Sequence, residues 1–221
     1  MAKIDGQYLA NMEGVLRLYG QQEQENTVGL CMDERPCQLL SEVMMPLPPK
    51  ADTPKRINNE YKREGTCVVM LAYDIDRGIR YAEVKQQRTK KDYAEFLDKV
   101  IGEQYRNAAK VKLVQDNLNT HSKGSFYEHL SVQRAGELST LIDFVYTPRH
   151  GSWLNMAEIE FSALCRQCLD ERIGSIEQMK QTVATWTHNR NHSKIKIHWS
   201  FTVDKARDKL TAQYQKVNDK K

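Results

Sequence analysis

The stretch VGLCMDERP, residues 28–36, is a short apolar run that ends in acidic residues. Apolar runs of this length, bounded by turn-forming residues, are typical of buried β-strands, so residues 28–32 are predicted to form a strand followed directly by Asp33. A second run, VKLVQ at residues 111–115, leads directly to Asp116. If the two strands are adjacent and parallel, both acids lie at the carboxyl edge of one sheet, where sites in α/β proteins form. Two neighbouring carboxylates then favour a divalent cation.

Helical and strand patterns alternate around these two runs. Residues 66–72 and 79–84 predict a β-hairpin with Gly78 at its turn, and residues 141–146 predict a fifth strand. Helices are predicted where apolar residues recur at helical spacing, over residues 5–19, 89–105, 121–136, 155–173 and 175–189. This order favours an α/β fold with a mixed five-stranded sheet and helices on both faces.

Composition places the chain among ordinary globular proteins. It has 221 residues, 40% of them hydrophobic, and a net charge of +4, which by itself does not indicate a nucleic-acid partner. No apolar run approaches the roughly 20 residues of a membrane span, so no membrane partner is expected. The N-terminus has no secretion signal pattern, and five cysteines are an odd number, which together predict a cytoplasmic protein with reduced thiols.

The sequence predicts three segments. Residues 1–26 are an N-terminal helix and lead-in, residues 27–189 the α/β domain that carries the candidate metal-binding acids, and residues 190–221 a basic C-terminal segment that packs on that domain. Residues 36–65 hold five of the six prolines together with several Lys and Arg residues. This composition predicts a long, irregular, basic insertion within the domain.

Two further acids precede the hairpin turn. Asp74 and Asp76 form an Asp-x-Asp pair that could bind a metal, but Asp beside Gly between two strands is more often part of a turn. We therefore expect both residues to shape the turn.

A third acid for the site comes from the helix predicted to begin at Asn155. On a helical wheel, Glu158 lies on the more apolar face, which it shares with Leu154, Phe161, Cys165 and Leu169, whereas Glu160 shares its face with Met156, Ala163 and Gln167. A carboxylate facing the core needs compensation, which a metal shared with Asp33 and Asp116 would provide. Glu158 is therefore the predicted ligand, and Glu160 is predicted to be a solvated surface acid.

Residues Cys165, Cys168, His188 and His192 have the ligand types of a zinc site. Their spacing differs from that of zinc fingers, because 19 residues separate the second cysteine from the first histidine. Both cysteines are also predicted to lie on one helix. Buried free thiols are the expected state.

Three phrases of the sequence resemble the acidic motifs of DDE transposases, in the bacterial insertion-sequence branch related to mariner elements. They are CMDERP at residues 31–36, QDNLNTH at 115–121 and SWLNMAE at 152–158. The resemblance extends to residues 12–16, 58–66, 199–202 and 206–207, and so covers nearly the whole chain.

The resemblance implies an RNase H-like fold and metal-dependent DNA cleavage and strand transfer. Asp33, Asp116 and Glu158 would be the catalytic acids and would hold two Mg²⁺ or Mn²⁺ ions. Residues expected to support the site or to contact DNA beside it are Asn117, His121, His150, Trp153 and Asn155. Two rival functions remain: a nuclease of the same fold without strand transfer, and a non-enzymatic DNA-binding or regulatory fragment.

The chain departs from the family pattern in two places. Relatives carry helix-turn-helix modules before the catalytic domain, whereas this chain begins almost directly with the catalytic part, so a DNA-binding region or partner chain is expected to recognise the transposon ends. Met156 stands where relatives often have Pro. A homodimer is left open.

Two basic regions are predicted to contact the phosphates of transposon and target DNA. Residues 186–198 contain several cations and no acid. Phosphate contacts need Lys and Arg but little geometry specific to a base sequence. The predicted contacts are Arg190, Lys194 and Lys196, together with Lys55 and Arg56 from the Pro-rich region.

Overall fold

The computed structural model describes residues 4–21, 25–44 and 59–219. Its five strands are β1 (Thr27–Glu42), β2 (Tyr61–Asp74), β3 (Arg80–Lys85), β4 (Lys110–Gln115) and β5 (Ile142–Tyr146). Its helices are α1 (Gly6–Gly20), α2 (Lys90–Gln104), α3 (Lys123–His129), α4 (Val132–Leu141), α5 (Met156–Cys168), α6 (Ile176–His192), α7 (Val203–Lys209) and α8 (Thr211–Asn218), with a 3₁₀ turn at Ser152–Leu154. No helix in these described ranges is long and apolar enough to cross a membrane.

The strands form one mixed sheet in the order β3-β2-β1-β4-β5. β1 pairs antiparallel with β2 and parallel with β4, and β4 pairs parallel with β5. One apolar cluster lies on the face covered by α1, α5 and α6, and a second lies on the face covered by α2, α3 and α4. The predicted α/β fold with a mixed five-stranded sheet and helices on both faces is confirmed.

β1 is three times as long as its apolar run and has two different parts. Residues 27–31 pair with β4 and residues 30–42 pair with β2, so from residue 32 onward the strand pairs with β2 only. Pro36 is therefore accommodated within a strand, because its missing N–H faces no partner strand. The prediction of irregular structure over residues 36–65 is wrong for residues 36–42 and 61–65, which belong to β1 and β2. Residues 45–58 of that region lie outside the described parts.

Several predicted helix boundaries also differ. The helix predicted over residues 121–136 is two helices, α3 and α4, and the hydroxyl of Ser131 caps the second by accepting from the Arg134 N–H. The helix predicted to reach residue 173 ends at Cys168.

The hairpin turn is built as its sequence predicts. Oδ1 of Asp74 accepts hydrogen bonds from the N–H groups of Asp76 and Arg77, at 3.0 and 2.6 Å. Gly78 has a φ of +66°, and a Cβ there would lie 3.1 Å from the side chain of Lys196. Asp74 therefore shapes the turn.

The C-terminal helices are joined to α1 by the half-buried carboxylate of Glu13. Arg207 donates two hydrogen bonds to it, at 2.8 and 2.9 Å, and the Tyr214 hydroxyl donates a third at 2.9 Å. The Arg207 guanidinium, helped by Tyr214 and Arg17 and opposed by burial, lowers the pKa of Glu13 to about 2.

Substitution of Glu13 by Gln is expected to lower the melting temperature by about 2–4 °C, as for a loss of about 1 kcal/mol. A carboxylate whose pKa is depressed by folding stabilises the protein above its ordinary pKa of 4.5, and this stabilisation is lost as pH falls towards 2. Thermal melts of both proteins at several pH values check this. A difference in melting temperature that stays the same from pH 7 down to about pH 3 would contradict the assignment.

Candidate active site

Asp33 lies where β1 separates from β4, two residues beyond their last paired position. Its side chain is largely buried. Oδ1 accepts the Glu34 N–H at 2.8 Å, and Oδ2 accepts from the side-chain amide of Asn155 at 3.3 Å. That amide also donates to the carbonyl of Met32, and the Asn155 Oδ1 caps α5 by accepting the Ala157 N–H. Asn155 thus fixes the start of α5 against the acid on β1.

Glu158 lies in the first turn of α5 and is half-buried. Burial raises the pKa of Asp33 to about 7, with added repulsion from the charges of Glu158, Asp116 and Glu34, against a lowering by the Glu34 N–H. Asp33 therefore lies close enough to Asp116 and to Glu158 for their charges to act on it. Burial is the main cause of the raised pKa of Asp33, and the charges of the neighbouring acids add to it.

Asp116 directly follows β4 and is held by His121. Its Oδ1 lies 2.7 Å from the Nδ1 of His121 and accepts the Leu118 N–H at 3.1 Å. Burial would raise the pKa of Asp116, but the hydrogen bond and charge of His121 outweigh burial and lower it.

His121 is itself buried between two carboxylates. Its Nε2 lies 3.0 Å from Oε2 of Glu34. Burial lowers the pKa of this imidazole, but hydrogen bonds to Asp116 and Glu34 outweigh that effect and raise the pKa to about 9. His121 is thus a cation at neutral pH, placed between an acid on β1 and an acid after β4.

The donor chemistry of the three acids fits a divalent metal. Carboxylate oxygens are the ligands that Mg²⁺ and Mn²⁺ prefer, and such a cation would compensate for the burial of the Asp33 carboxylate and for its repulsion by the neighbouring acids. Within the described residues, however, no three His, Cys, Asp or Glu side chains already converge as a set of metal ligands. Asp33 is instead hydrogen-bonded to Asn155, and Asp116 is hydrogen-bonded to His121.

The prediction that Glu160 is a solvated acid is wrong. Its side chain is completely buried and accepts bidentate hydrogen bonds from Arg80 at 2.6 and 2.9 Å and from Arg190 at 3.0 Å each. Burial raises the pKa of Glu160, but the two guanidinium groups outweigh it and lower the pKa. Glu158, predicted to face the core, is the more exposed of the two acids.

The Arg190–Glu160 contacts also bear on the predicted phosphate-binding residues of the C-terminal basic segment. Arg190 was predicted to contact DNA phosphates. Its side chain is only 11% exposed and is paired with Glu160, so its charge is not available at the surface for a phosphate. Lys194 and Lys196 are exposed, and the ammonium of Lys196 donates to the carbonyl of Asp76 in the hairpin turn. Lys55 and Arg56 lie outside the described residues.

Other predicted residues surround the acids in different ways. The Asn117 amide donates to the carbonyl of Thr147 at 3.0 Å and joins the loops after β4 and β5. His150 is exposed with a φ of +62°. Trp153 is 47% exposed and packs against Phe201, with ring centroids 5.7 Å apart.

Two residues near the acids were missed by the sequence analysis. Glu34 touches His121 from the face of β1 opposite Asp33, and strand alternation together with the nearby histidine motif could have indicated it. Arg88 is exposed, and its charge helps to lower the pKa of Asp116. Arg88 lies in the loop before α2, and the sequence carries no signal that links this loop to the acids.

The Cys and His residues with zinc-ligand types lie on two helices. Cys165 and Cys168 are half-buried free thiols on α5. His188 and His192 are exposed on α6, with their rings stacked 6.2 Å apart.

Solved structures of mariner transposase complexes share this fold. The Mos1 mariner paired end complex with Mn aligns with a TM-score of 0.57 at 12% identity, over 87% of this chain and 58% of the other. The pre-cleavage Mos1 transpososome aligns with 0.56 at 13% identity, over 96% and 62%. The Mos1 strand transfer complex aligns with 0.55 at 15% identity, over 85% and 58%. The chain thus spans about three-fifths of the length of these proteins.

At this level of identity the structural likeness shows the fold, which is that of the RNase H-like catalytic domain of Mos1 transposase. No curated protein matches the chain in sequence. The family profile described as DDE superfamily endonuclease matches residues 29–180, a span that contains Asp33, Asp116 and Glu158. Because that span is more than half of the chain, the protein belongs to the DDE superfamily endonuclease family.

Proposed function

We propose that this chain is the catalytic domain of a transposase from the bacterial insertion-sequence branch related to mariner elements. It would cleave DNA phosphodiester bonds and transfer strands, with Asp33, Asp116 and Glu158 as the ligands of two Mg²⁺ or Mn²⁺ ions. The observation that carries the proposal is geometric: Asp33 and Asp116 follow the parallel neighbours β1 and β4 where these strands separate, and Asn155 contacts Asp33 from the start of the helix whose first turn holds Glu158. Family membership and the likeness to transposition complexes support it.

Two parts of the chain position the three acids: the start of α5 and the loop after β4. Asp33 is fixed by Asn155, Asp116 by His121, and Glu158 by the first turn of α5. When bound, the metal ions supply a Lewis acid and an activated oxygen nucleophile for in-line displacement at phosphorus. Three carboxylates against two divalent cations leave a net positive centre, which suits a phosphate. The protein's part is therefore position and charge.

The proposed partners are DNA and a DNA-binding region. The chain would act on transposon ends and target DNA, with end recognition supplied by a helix-turn-helix region or partner chain. Its place would be the cytoplasm, at the nucleoid, and a homodimer would allow two ends to be paired. Arg88, Lys194 and Lys196 are exposed cations that would contact phosphates.

Removal of Lys194 and Lys196 is expected to weaken DNA binding on every sequence. Each phosphate contact releases about one counterion, so the double substitution to Ala should reduce the slope of log affinity against log salt by about two. Titrations of random and end-containing duplexes at several salt concentrations measure this slope. The matched control is Lys209→Ala with Lys216→Ala, two exposed lysines on α7 and α8. An unchanged slope in the first variant would make its lysines ordinary solvated residues.

A metal-dependent strand-transfer assay tests the proposal itself. The purified chain is incubated with Mg²⁺ or Mn²⁺, DNA from the flanks of its coding sequence and a target duplex, with and without a helix-turn-helix chain. Joined donor and target strands are the expected product. Cleavage without joining would indicate a nuclease, and binding without either reaction would indicate a regulatory fragment.

A further inference from the structure

Glu34 is a buried acid beside the proposed catalytic site. It follows Asp33 in β1, so its side chain projects from the opposite face of the sheet. This side chain is only 2% exposed, and its Oε2 lies 3.0 Å from the Nε2 of His121, within hydrogen-bond distance. Its Oε1 is buried and has no hydrogen-bond partner within the described residues. A buried oxygen without a partner costs about 1–3 kcal/mol, so packing alone does not explain a carboxylate here.

His121 is held from several sides. Its ring stacks on Tyr93 with centroids 4.8 Å apart. Its carbonyl accepts from the Gln115 amide at 3.2 Å and from the Tyr146 hydroxyl at 3.0 Å. The Tyr93 hydroxyl in turn donates to Gln115 at 2.7 Å. Both the backbone and the ring plane of His121 are therefore fixed.

The remaining freedom of the imidazole is removed by the two carboxylates. Glu34 accepts from Nε2, and Nδ1 then meets Oδ1 of Asp116 at 2.7 Å. Oδ2 of Asp116 makes no hydrogen bond to the described part of the chain, so it is the oxygen left for a ligand. Partners of this kind typically change metal affinity 10–100-fold when removed.

We infer that Glu34 is a positioning residue that orients the proposed metal ligand Asp116 through His121. The inference rests on the proposed function, because it assigns Asp116 to a metal. In this role Glu34 is a fourth acid beside Asp33, Asp116 and Glu158, and it acts through His121 rather than as a metal ligand. Glu34 acts through a chain of two hydrogen bonds that crosses from β1 to the end of β4.

The test measures binding of Mn²⁺ alone, by electron paramagnetic resonance of the free ion, so that DNA cleavage is not needed. Substitution of Glu34 by Ala is expected to weaken Mn²⁺ binding about 10–100-fold. Glu34→Gln keeps an oxygen that accepts from Nε2 and should retain most of the affinity. Glu34→Asp keeps the charge but is one carbon shorter, so it should lose nearly as much affinity as Ala. Glu83→Gln is the control, because it removes a charge on β3 that pairs with Lys85 on the same strand and with Lys99 on α2.

A double-mutant cycle with Asp116→Ala separates positioning from a general structural role. In that background, removal of Glu34 should not weaken the residual Mn²⁺ binding further. Wild-type affinity in Glu34→Ala, or an equal loss with and without Asp116, would overturn the inference while leaving the proposed function standing. Failure of the wild-type protein to bind Mn²⁺ would overturn the proposed function and this inference with it. If Glu34→Ala does not fold, the Mn²⁺ affinities of Glu34→Gln and Glu34→Asp test the inference, and equal affinities in these two variants would overturn it.

Discussion

Substitution of Asp116 by Asn is expected to reduce Mg²⁺-dependent DNA cleavage by about 10³-fold or more. A metal ion contributes several kcal/mol of charge stabilisation in the transition state, and each 1.4 kcal/mol is tenfold in rate. Asn has nearly the same shape but no charge, so the metal would lose one of its three proposed anionic ligands. Single-turnover cleavage of a labelled duplex measures the loss.

The control for this variant is Asp143→Asn, which removes an exposed acid on the neighbouring strand β5. It should leave cleavage unchanged. Cleavage by Asp116→Asn at the rate of this control would remove Asp116 from the mechanism.

The stability of the metal-free protein should respond differently at Asp33 and Asp116. The pKa of Asp33 is raised by folding from 3.8 to about 7, so the native state binds more protons than the unfolded state between these values. Stability is therefore lost as pH rises from about 4 to 7, and Asp33→Asn should remove this loss. Asp116→Asn should not stabilise the protein, because Asp116 is already paired with the charged His121. Chemical unfolding of both variants at pH 5 and pH 8 distinguishes the two acids.

Substitution of Glu160 by Ala is expected to lower the free energy of unfolding by about 3–5 kcal/mol. The change leaves Arg80, which is completely buried, and Arg190, which is largely buried, without the carboxylate that accepts four hydrogen bonds from them. Leaving two buried guanidinium groups without a carboxylate costs more free energy than the intact ion pairs contribute to stability. Denaturant titrations followed by circular dichroism measure the change.

An exposed glutamate provides the comparison for Glu160. Glu95 on α2 pairs with Lys91 at 3.7 Å, and both side chains are largely exposed. Exposed pairs of this kind contribute about 0–1 kcal/mol, so Glu95→Ala should have little effect. Equal losses in the two variants would show that the buried pair contributes no more than an exposed one.

The sheet and the first two acids, Asp33 and Asp116, could be predicted from the sequence, because short apolar runs and the residues that follow them are local signals. Asp33 and Asp116 follow such runs, and their strands are parallel neighbours as the argument required. The full length of β1 was not within reach. Pro36 normally argues against a strand, and it is accommodated because β4 turns away before that residue.

The choice between Glu158 and Glu160 shows the limit of helical periodicity. A wheel ranks faces by their apolar content, and it cannot know that Arg80 and Arg190, which are distant in sequence, supply charges on the other face. The buried acid was therefore the one with cationic partners, and the family motif acid was the half-exposed one. The prediction for Arg190 failed for the same reason, because its partner Glu160 is distant in sequence and the local segment contains no acid.

The separation of β1 from β4 also bears on self-association. Strand edges with free N–H and C=O groups invite another chain to pair with them. Here the edge is already occupied: the Glu34 N–H donates to Asp33, the Leu40 N–H donates to the carbonyl of Ile173, and the carbonyl of Met32 accepts from Asn155. Pro36 has no N–H to offer. These contacts occupy several backbone groups along the part of β1 that β4 leaves uncovered, so they oppose the addition of another strand beside the acids.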